Sequence, residues 1–233
     1  MFDVLHPTSK KMLTVTEYKA HALALGYIDV DHAPPGRCPV CKRAMRLKAG
    51  GTKNDEHFYH PDSFFCPTKD PAARPYLGKM PTSYNPAAVA SNRSWVAIHI
   101  EHIYSRVADI APCLDLKEFI AMLRKAKQLN IYAYANYQPE HTPYVLVTLI
   151  NFLRTTSYKK TRQLKFMFFY DAGISSYDDL WINKGFGSDL MRVSYKNSKT
   201  QRSTLIDVDI SYAELTPKYT LSSKQKSWCL KEM

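Results

Sequence analysis

Cys38-Pro39-Val40-Cys41 is followed, after fifteen intervening residues, by His57-Phe58-Tyr59-His60 and, after five more, by Cys66. Thiols and imidazoles at this spacing form a metal site, and zinc closes such a set into a tetrahedron when its role is structural. The Cys-x-x-Cys turn bends two thiolates onto one ion, and the His/Cys return supplies the other half. Cys38, Cys41 and Cys66 are the expected thiolate ligands. His57 and His60 compete for the fourth seat. If Phe58 lies on a strand, the two histidines point to opposite faces, so only one reaches the ion. His60, at the turn into Pro61, is favoured; His57 is the alternative. A redox Cys-x-x-Cys fits less well, because Pro34-Pro35-Gly36 precedes the motif and a short strand follows it.

Cys-Pro-x-Cys, His-Phe-x-His and the nearby Cys66 resemble the zinc-binding region of competence protein CoiA-like proteins. The similarity extends to the preceding segment, with Glu17 to Gly26 as a short helix and Tyr27-Ile28-Asp29-Val30 as a strand. It covers residues 14–70, about a quarter of the chain. The resemblance implies a zinc ribbon ahead of a nuclease-like domain, a prokaryotic or phage source, and a link to nucleic acid. It also implies an Asp followed by Glu-x-Gln on the next strand, where clustered acids hold Mg²⁺. This sequence departs from that pattern. Asp207-Val208-Asp209 is the close acid pair on a strand-like stretch, but Ser211 stands where Lys or Gln is needed. Asp171, Asp178 and Asp179 lack a Glu-x-Gln or Glu-x-Lys partner. Catalytic residues are therefore not assigned, and a divergent metal-dependent nuclease is the least favoured reading.

Other catalytic chemistry finds no pattern. Gly185-Phe186-Gly187 lacks the third glycine and the strand–helix context of a phosphate loop. Cys113 and Cys229 stand alone, without cationic neighbours that would activate a thiol, and read as ordinary buried thiols. His99 and His102 lie three apart with no third ligand, so they read as packing or surface residues.

The chain carries 32 Lys+Arg against 21 Asp+Glu, a net charge of +11. The cations cluster. Arg37, Lys42, Arg43, Arg46, Lys48 and Lys53 lie in the ribbon beside Tyr59, Phe64 and Phe65. Arg154, Lys159, Lys160, Arg162 and Lys165 form a second group, and Arg192, Lys196, Lys199 and Arg202 a third. Cations beside aromatics suit a phosphate backbone and stacked bases. The competing reading is a solvated ribbon surface with aromatics packed beneath it.

The elements that hold these groups follow from periodicity and punctuation. Met12–Val15 reads as a strand, and Thr16 as the cap of a helix ended by Gly26. Pro71 to Asn85 is a proline-rich linker. Asn85-Pro86 opens a helix to about Val107. Asp115 and Glu118 form a capping box ahead of a second helix, 131–137 alternates as a strand, and Thr142-Pro143 starts a third, central helix to about Leu153. Leu164–Tyr170 is an apolar strand buried on both faces. Ser175–Trp181 is a short helix, Leu190–Lys196 and Thr204–Tyr212 a hairpin, and the tail a helix anchored by Trp228.

The expected fold class is α+β, with a zinc ribbon over 1–75 and a mixed domain of three main helices and a small, largely antiparallel sheet over 76–233. Hydrophobic residues make up 45% and charged residues 23%, ordinary for a globular protein. No apolar run approaches the eighteen or so residues of a membrane span, and no secretory signal is evident, so a reduced, cytoplasmic protein is expected. The function expected is a non-catalytic, zinc-containing basic protein that binds nucleic acid. The alternative is an interaction module, such as an inhibitor, immunity or anti-defence factor, whose partner is an acidic protein.

Overall fold

Strands β1 (Asp3–Leu5) and β2 (Met12–Thr14) pair antiparallel, and Thr14 turns the chain into helix α1, Val15–Ala24. The turn is chemically specified. The Thr14 hydroxyl accepts from the Glu17 backbone N–H, and the Glu17 carboxylate accepts the Thr14 N–H at 2.8 Å. This capping box satisfies donors that a helix start leaves open. It moves the start ahead of the expected Thr16, which has Lys19 rather than an acid three residues on. Gly26, at φ +87°, ends the helix: its N–H reaches the Leu23 carbonyl, and the Tyr27 N–H reaches Ala22. The strand expected over 27–30 does not form. Asp29 Oδ1 instead accepts the Asp31 N–H at 2.9 Å and bends the chain.

The computed structural model describes residues 1–48, 56–64, 66, 83–156, 161–170, 190–195, 201–206 and 210–233. Strands β3 (Gly36–Arg37), β4 (Ala44–Lys48) and β5 (His57–Tyr59) extend the first pair into a sheet of order β2-β1-β3-β4-β5, antiparallel throughout. Gly36 is where backbone must approach side chain: a Cβ there would lie 2.6 Å from Val4 Cγ2.

The single helix expected from Asn85 is two helices after a short 3-10 turn. They are α2 (Val89–Ile98) and α3 (Ile100–Ile110), broken at His99 with φ −96° and ψ 17°. The His99 ring stacks on Trp95 at 4.0 Å and holds the break. Helix α4 (Leu116–Gln128) has the Asp115/Glu118 capping box read from the sequence. Residues 131–137 are not a strand. Ile131–Ala133 is a 3-10 turn that follows left-handed Asn130, and Tyr84 and Tyr134 make an isolated bridge. Helix α5 spans only Thr142–Leu146, every residue buried. It stops because the N–H and hydroxyl of Thr148 both bond to the Val145 carbonyl, which a continuing α-helix would give to Leu149. The central position expected for this segment is correct; its length is not.

Strands β6 (Thr155–Thr156) and β7 (Thr161–Arg162) form a small ribbon. Strands β8 (Lys165–Tyr170), β9 (Leu190–Tyr195) and β10 (Gln201–Ile206) form an antiparallel sheet of order β10-β9-β8. The last strand thus begins three residues before the expected Thr204, and Tyr212 sits in a 3-10 turn, Ser211–Glu214. Helix α6, Ser223–Lys231, is capped by Ser222 and Gln225. Cys229 anchors it at 0% exposure, whereas the expected anchor Trp228 is 43% exposed. The helix expected over 175–181, the acids Asp171, Asp178, Asp179, Asp207 and Asp209, and Phe65 lie outside the described residues.

Strand β8 is buried on both faces, as its apolar run requires. Phe166, Phe168 and Tyr170 join a core built from α2 to α6. Met167 and Phe169, with Met191, Val193 and Tyr195 of β9, join a second core that contains Met45, Leu47, Phe58, Cys38 and Cys66. The two segments expected from the sequence therefore share a core, and the architecture is mixed α+β.

Candidate metal centre

The turn between β3 and β4 is a knuckle made by its own backbone. The Cys38 N–H donates to the Arg43 carbonyl at 2.8 Å, and the Lys42 N–H donates to the Cys38 carbonyl at 2.9 Å. Lys42 closes the turn at φ +61°, a left-handed conformation more usual for glycine. The Cys41 N–H faces Cys38 Sγ at 3.5 Å. Both thiols of the motif are thereby turned to one side.

Strand β5 delivers the histidine. Its alternation buries Phe58 and turns His57 and Tyr59 outward. His60, an even step from Phe58, falls on the inner side. Cys38 Sγ lies 3.8 Å from Cys66 Sγ, and Cys41 Sγ lies 3.7 Å from His60 Nε2. The four ligand atoms all lie within 4.8 Å of one another, and this is the one such group among the described residues. His57 is not part of it; it pairs across the sheet with Lys48.

These distances fit a four-coordinate ion. A tetrahedron with metal–sulfur bonds of about 2.3 Å has sulfur–sulfur edges of about 3.8 Å, and a nitrogen vertex shortens an edge slightly. They do not fit a disulfide, whose sulfurs lie about 2.05 Å apart. The charges also call for a cation. Cys41 is held far below the usual thiol range by the thiols of Cys38 and Cys66, while contact with Cys41 and then Cys66 pushes Cys38 well up. Contact with Cys41, then Cys66, raises His60 to about 9. Cys38, Cys41 and His60 thus contend for protons that a central cation would replace. His60 Nδ1 is buried without a hydrogen-bond partner, which leaves Nε2 as the ring atom facing the cluster.

The segment that carries His60 back to Cys66 is pinned by a residue whose role was not read from the sequence. Asp62 Oδ1 accepts from Arg43 Nη1 at 2.8 Å and from the Phe64 N–H at 3.0 Å. Arg43 also donates to the Phe64 carbonyl and lies 5.5 Å from the Phe64 ring centroid. The signal was one acid placed between His60 and Cys66, opposite a cation in the knuckle.

The basic residues divide by environment. Arg46 and Lys48 are exposed on the outer face of β4, with Arg46 Nη1 2.5 Å from the Asp31 carbonyl. Arg37 is half-buried and donates to the carbonyls of His6 and Ser9. Lys42 and Lys165 are half-buried. Arg192 is half-buried over the Phe166 ring, and burial lowers its pKa. Arg162 corrects the expectation of a solvent-facing cation. It is 5% exposed and forms a two-pronged pair with Glu118 at 2.6 and 2.8 Å. A surface reading fails there because an acid 44 residues away and three carbonyls claim its donors. Lys53, Lys159, Lys160, Lys196, Lys199 and the Arg202 side chain lie outside the described residues.

Fold and site together define an α+β protein with a Cys₃His cluster able to hold a metal ion. No family model matches the chain, and no curated protein or solved structure matches it. Among the described residues, no helix is long and apolar enough to cross a membrane.

Proposed function

We propose that this protein is a zinc-stabilised, non-catalytic binder of nucleic acid, with the outer face of β4–β5 as its contact surface. Zinc is the ion because three thiolates and one imidazole are its usual structural set. The observation that carries the binding reading is the register of that face. Arg46 stands across from Tyr59, and Lys48 across from His57, while Met45, Leu47 and Phe58 point into the core. Cations thus alternate with rings on a rigid sheet whose back is held by the metal cluster. Phosphates would meet Arg46 and Lys48, and a base would stack on Tyr59, which is 39% exposed. Such a stack is worth about 1–3 kcal/mol per base. The resemblance to CoiA-like proteins points the same way.

Fluorescence anisotropy with labelled single- and double-stranded oligonucleotides, across a salt series, tests this. Lys48→Glu is expected to weaken binding and reduce the salt slope by roughly one unit. Tyr59→Ala is expected to cost about 1–3 kcal/mol with the slope unchanged. Binding that is absent at low salt, or insensitive to both changes, rejects the reading.

A second reading has its own observation. The end of α1 and the turn after it expose Leu23 (67%), Leu25 (52%) and Ile28 (95%), an apolar run that suits a protein partner better than a phosphate backbone. Partner capture lost on Ile28→Asp but kept on Lys48→Glu would favour it.

A further inference from the structure

The four ligands of the cluster are not equally enclosed. Cys38 and Cys66 are 0% exposed, while Cys41 and His60 are half-buried. Solvent therefore reaches the centre along one edge, the Cys41–His60 pair, whose Sγ and Nε2 lie 3.7 Å apart. Arg43 stands beside that edge. Its place in the sequence groups it with the cations of the ribbon, but its surroundings differ from those of Arg46 and Lys48 on the outer face of β4.

Arg43 grips the site with both its backbone and its side chain. Its carbonyl accepts the Cys38 N–H at 2.8 Å, and its own N–H donates to the Cys41 sulfur. Its guanidinium donates to that same sulfur. Nη1 reaches Asp62 Oδ1 at 2.8 Å, and Nη2 reaches the Phe64 carbonyl at 3.3 Å. One residue thus ties the knuckle to the segment that carries His60 round to Cys66. Charge gives the contact a further meaning. Three thiolates and a neutral imidazole around a divalent ion carry one net negative charge. A guanidinium against the accessible thiolate offsets it, and Asp62 fixes where that guanidinium stands. Lysine would bring the charge, but not the fork that spans a thiolate, a carboxylate and a carbonyl.

We infer that Arg43 is a positioning residue for the metal. It latches the open edge of the cluster, keeps Cys41 in place as a ligand and slows loss of the ion. Arg43 is thereby assigned to the metal centre and not to contacts with phosphate. The inference rests on the zinc reading of the cluster and is independent of nucleic-acid binding, because no nucleic acid enters its test.

Transfer of zinc from the loaded protein to an excess of a colorimetric chelator, followed with time, provides the first test. Arg43→Gln is expected to hold zinc about 10–100-fold less tightly and to release it correspondingly faster, as when a metal ligand loses its outer partner. Arg43→Lys keeps the charge and is expected to recover part of the loss. A loosened knuckle would also release zinc faster, so the thiolate contact needs its own readout. A donor to a thiolate lowers the energy of the sulfur lone pairs. In the cobalt(II)-loaded protein, the near-ultraviolet sulfur-to-cobalt charge-transfer band is therefore expected to move to longer wavelength in Arg43→Gln, and to return toward the wild-type position in Arg43→Lys. Cobalt uptake by Arg43→Lys but not by Arg43→Gln would support the inference equally. Zinc release at the wild-type rate in Arg43→Gln, or a band that does not move, overturns it. So does failure of both variants to take up cobalt, which would make Arg43 a residue of folding alone.

Discussion

Strand β8 puts Phe166, Phe168 and Tyr170 on one side and Met167 and Phe169 on the other, and the two cores it divides are closed by different means. On the helical side the packing is mostly aromatic and aliphatic. Its one deeply buried charge among the described residues, Arg162, is neutralised by Glu118, and the guanidinium lies 5.4 Å from the Phe152 ring and 5.1 Å from Phe166. On the other side the strands are short. Two of the buried side chains, Cys38 and Cys66, are thiols that crowd Cys41 and His60. One core is finished by area and a buried ion pair, the other by a cluster of metal ligands. Strands of two to five residues bury little surface each, so an ion held by the cluster would add substantially to what their packing supplies.

Removing the ion should therefore separate the cores most sharply. Structural zinc contributes about 10–16 kcal/mol of apparent binding energy in small zinc-finger peptides, comparable to the whole stability of a domain. Cys38→Ser, or chelation of the wild type, is expected to abolish hydrogen-exchange protection in β3, β4 and β5. Amides of α3 and α4 should stay protected. Simultaneous loss in both regions would mean that β8 makes them one cooperative unit, and the contrast would collapse.

The reverse experiment acts on the other core. Arg162→Ala leaves Glu118 half-buried without its partner and exposes three carbonyls to a void. It is expected to cost about 3–5 kcal/mol in denaturant unfolding, while metal content stays at one equivalent. Loss of metal together with stability would show that the helical core props up the cluster.

The smallest effect expected is a gain. Lys42 holds a left-handed conformation that costs a non-glycine residue about 1–2 kcal/mol, part of which glycine returns in chain entropy. Lys42→Gly should then stabilise the metal-side core by about 0.5–1 kcal/mol with the ion bound, read as a raised midpoint in exchange or denaturant. A destabilised variant would mean that the Lys42 side chain contributes more than its strain.

The site was more legible than the fold around it, for a physical reason. Cys38, Cys41, His60 and Cys66 lie within thirty residues, and their geometry is set by a local turn and by strand parity. The Asp115/Glu118 box, the two-faced burial of β8 and the β9–β10 hairpin were readable on the same grounds, because each depends on neighbours in sequence. What failed depends on distant partners. The alternating stretch 131–137 meets Tyr84, not a strand, and Ile131 and Tyr132 are buried in succession, which alternation does not allow. Helix α5 ends where one hydroxyl, Thr148, takes a carbonyl. Arg162 reads as one more cation in a basic stretch of sequence until Glu118 is placed beside it.

The shared core also sets an order of events during synthesis. Met45, Leu47 and Phe58 are made early, but the residues that complete their packing, Met167, Phe169, Met191, Val193 and Tyr195, are made more than a hundred residues later. At about 5–20 residues per second, the interval between Cys66 and Tyr195 lasts on the order of ten seconds. Throughout it, the nascent ribbon has its ligands but lacks β8 and β9, so an apolar face stays open to chaperones and to other chains. Metal capture at that stage would fix the ribbon before its cover exists, leaving the apolar face of β4 and β5 as a preformed template for β8 and β9.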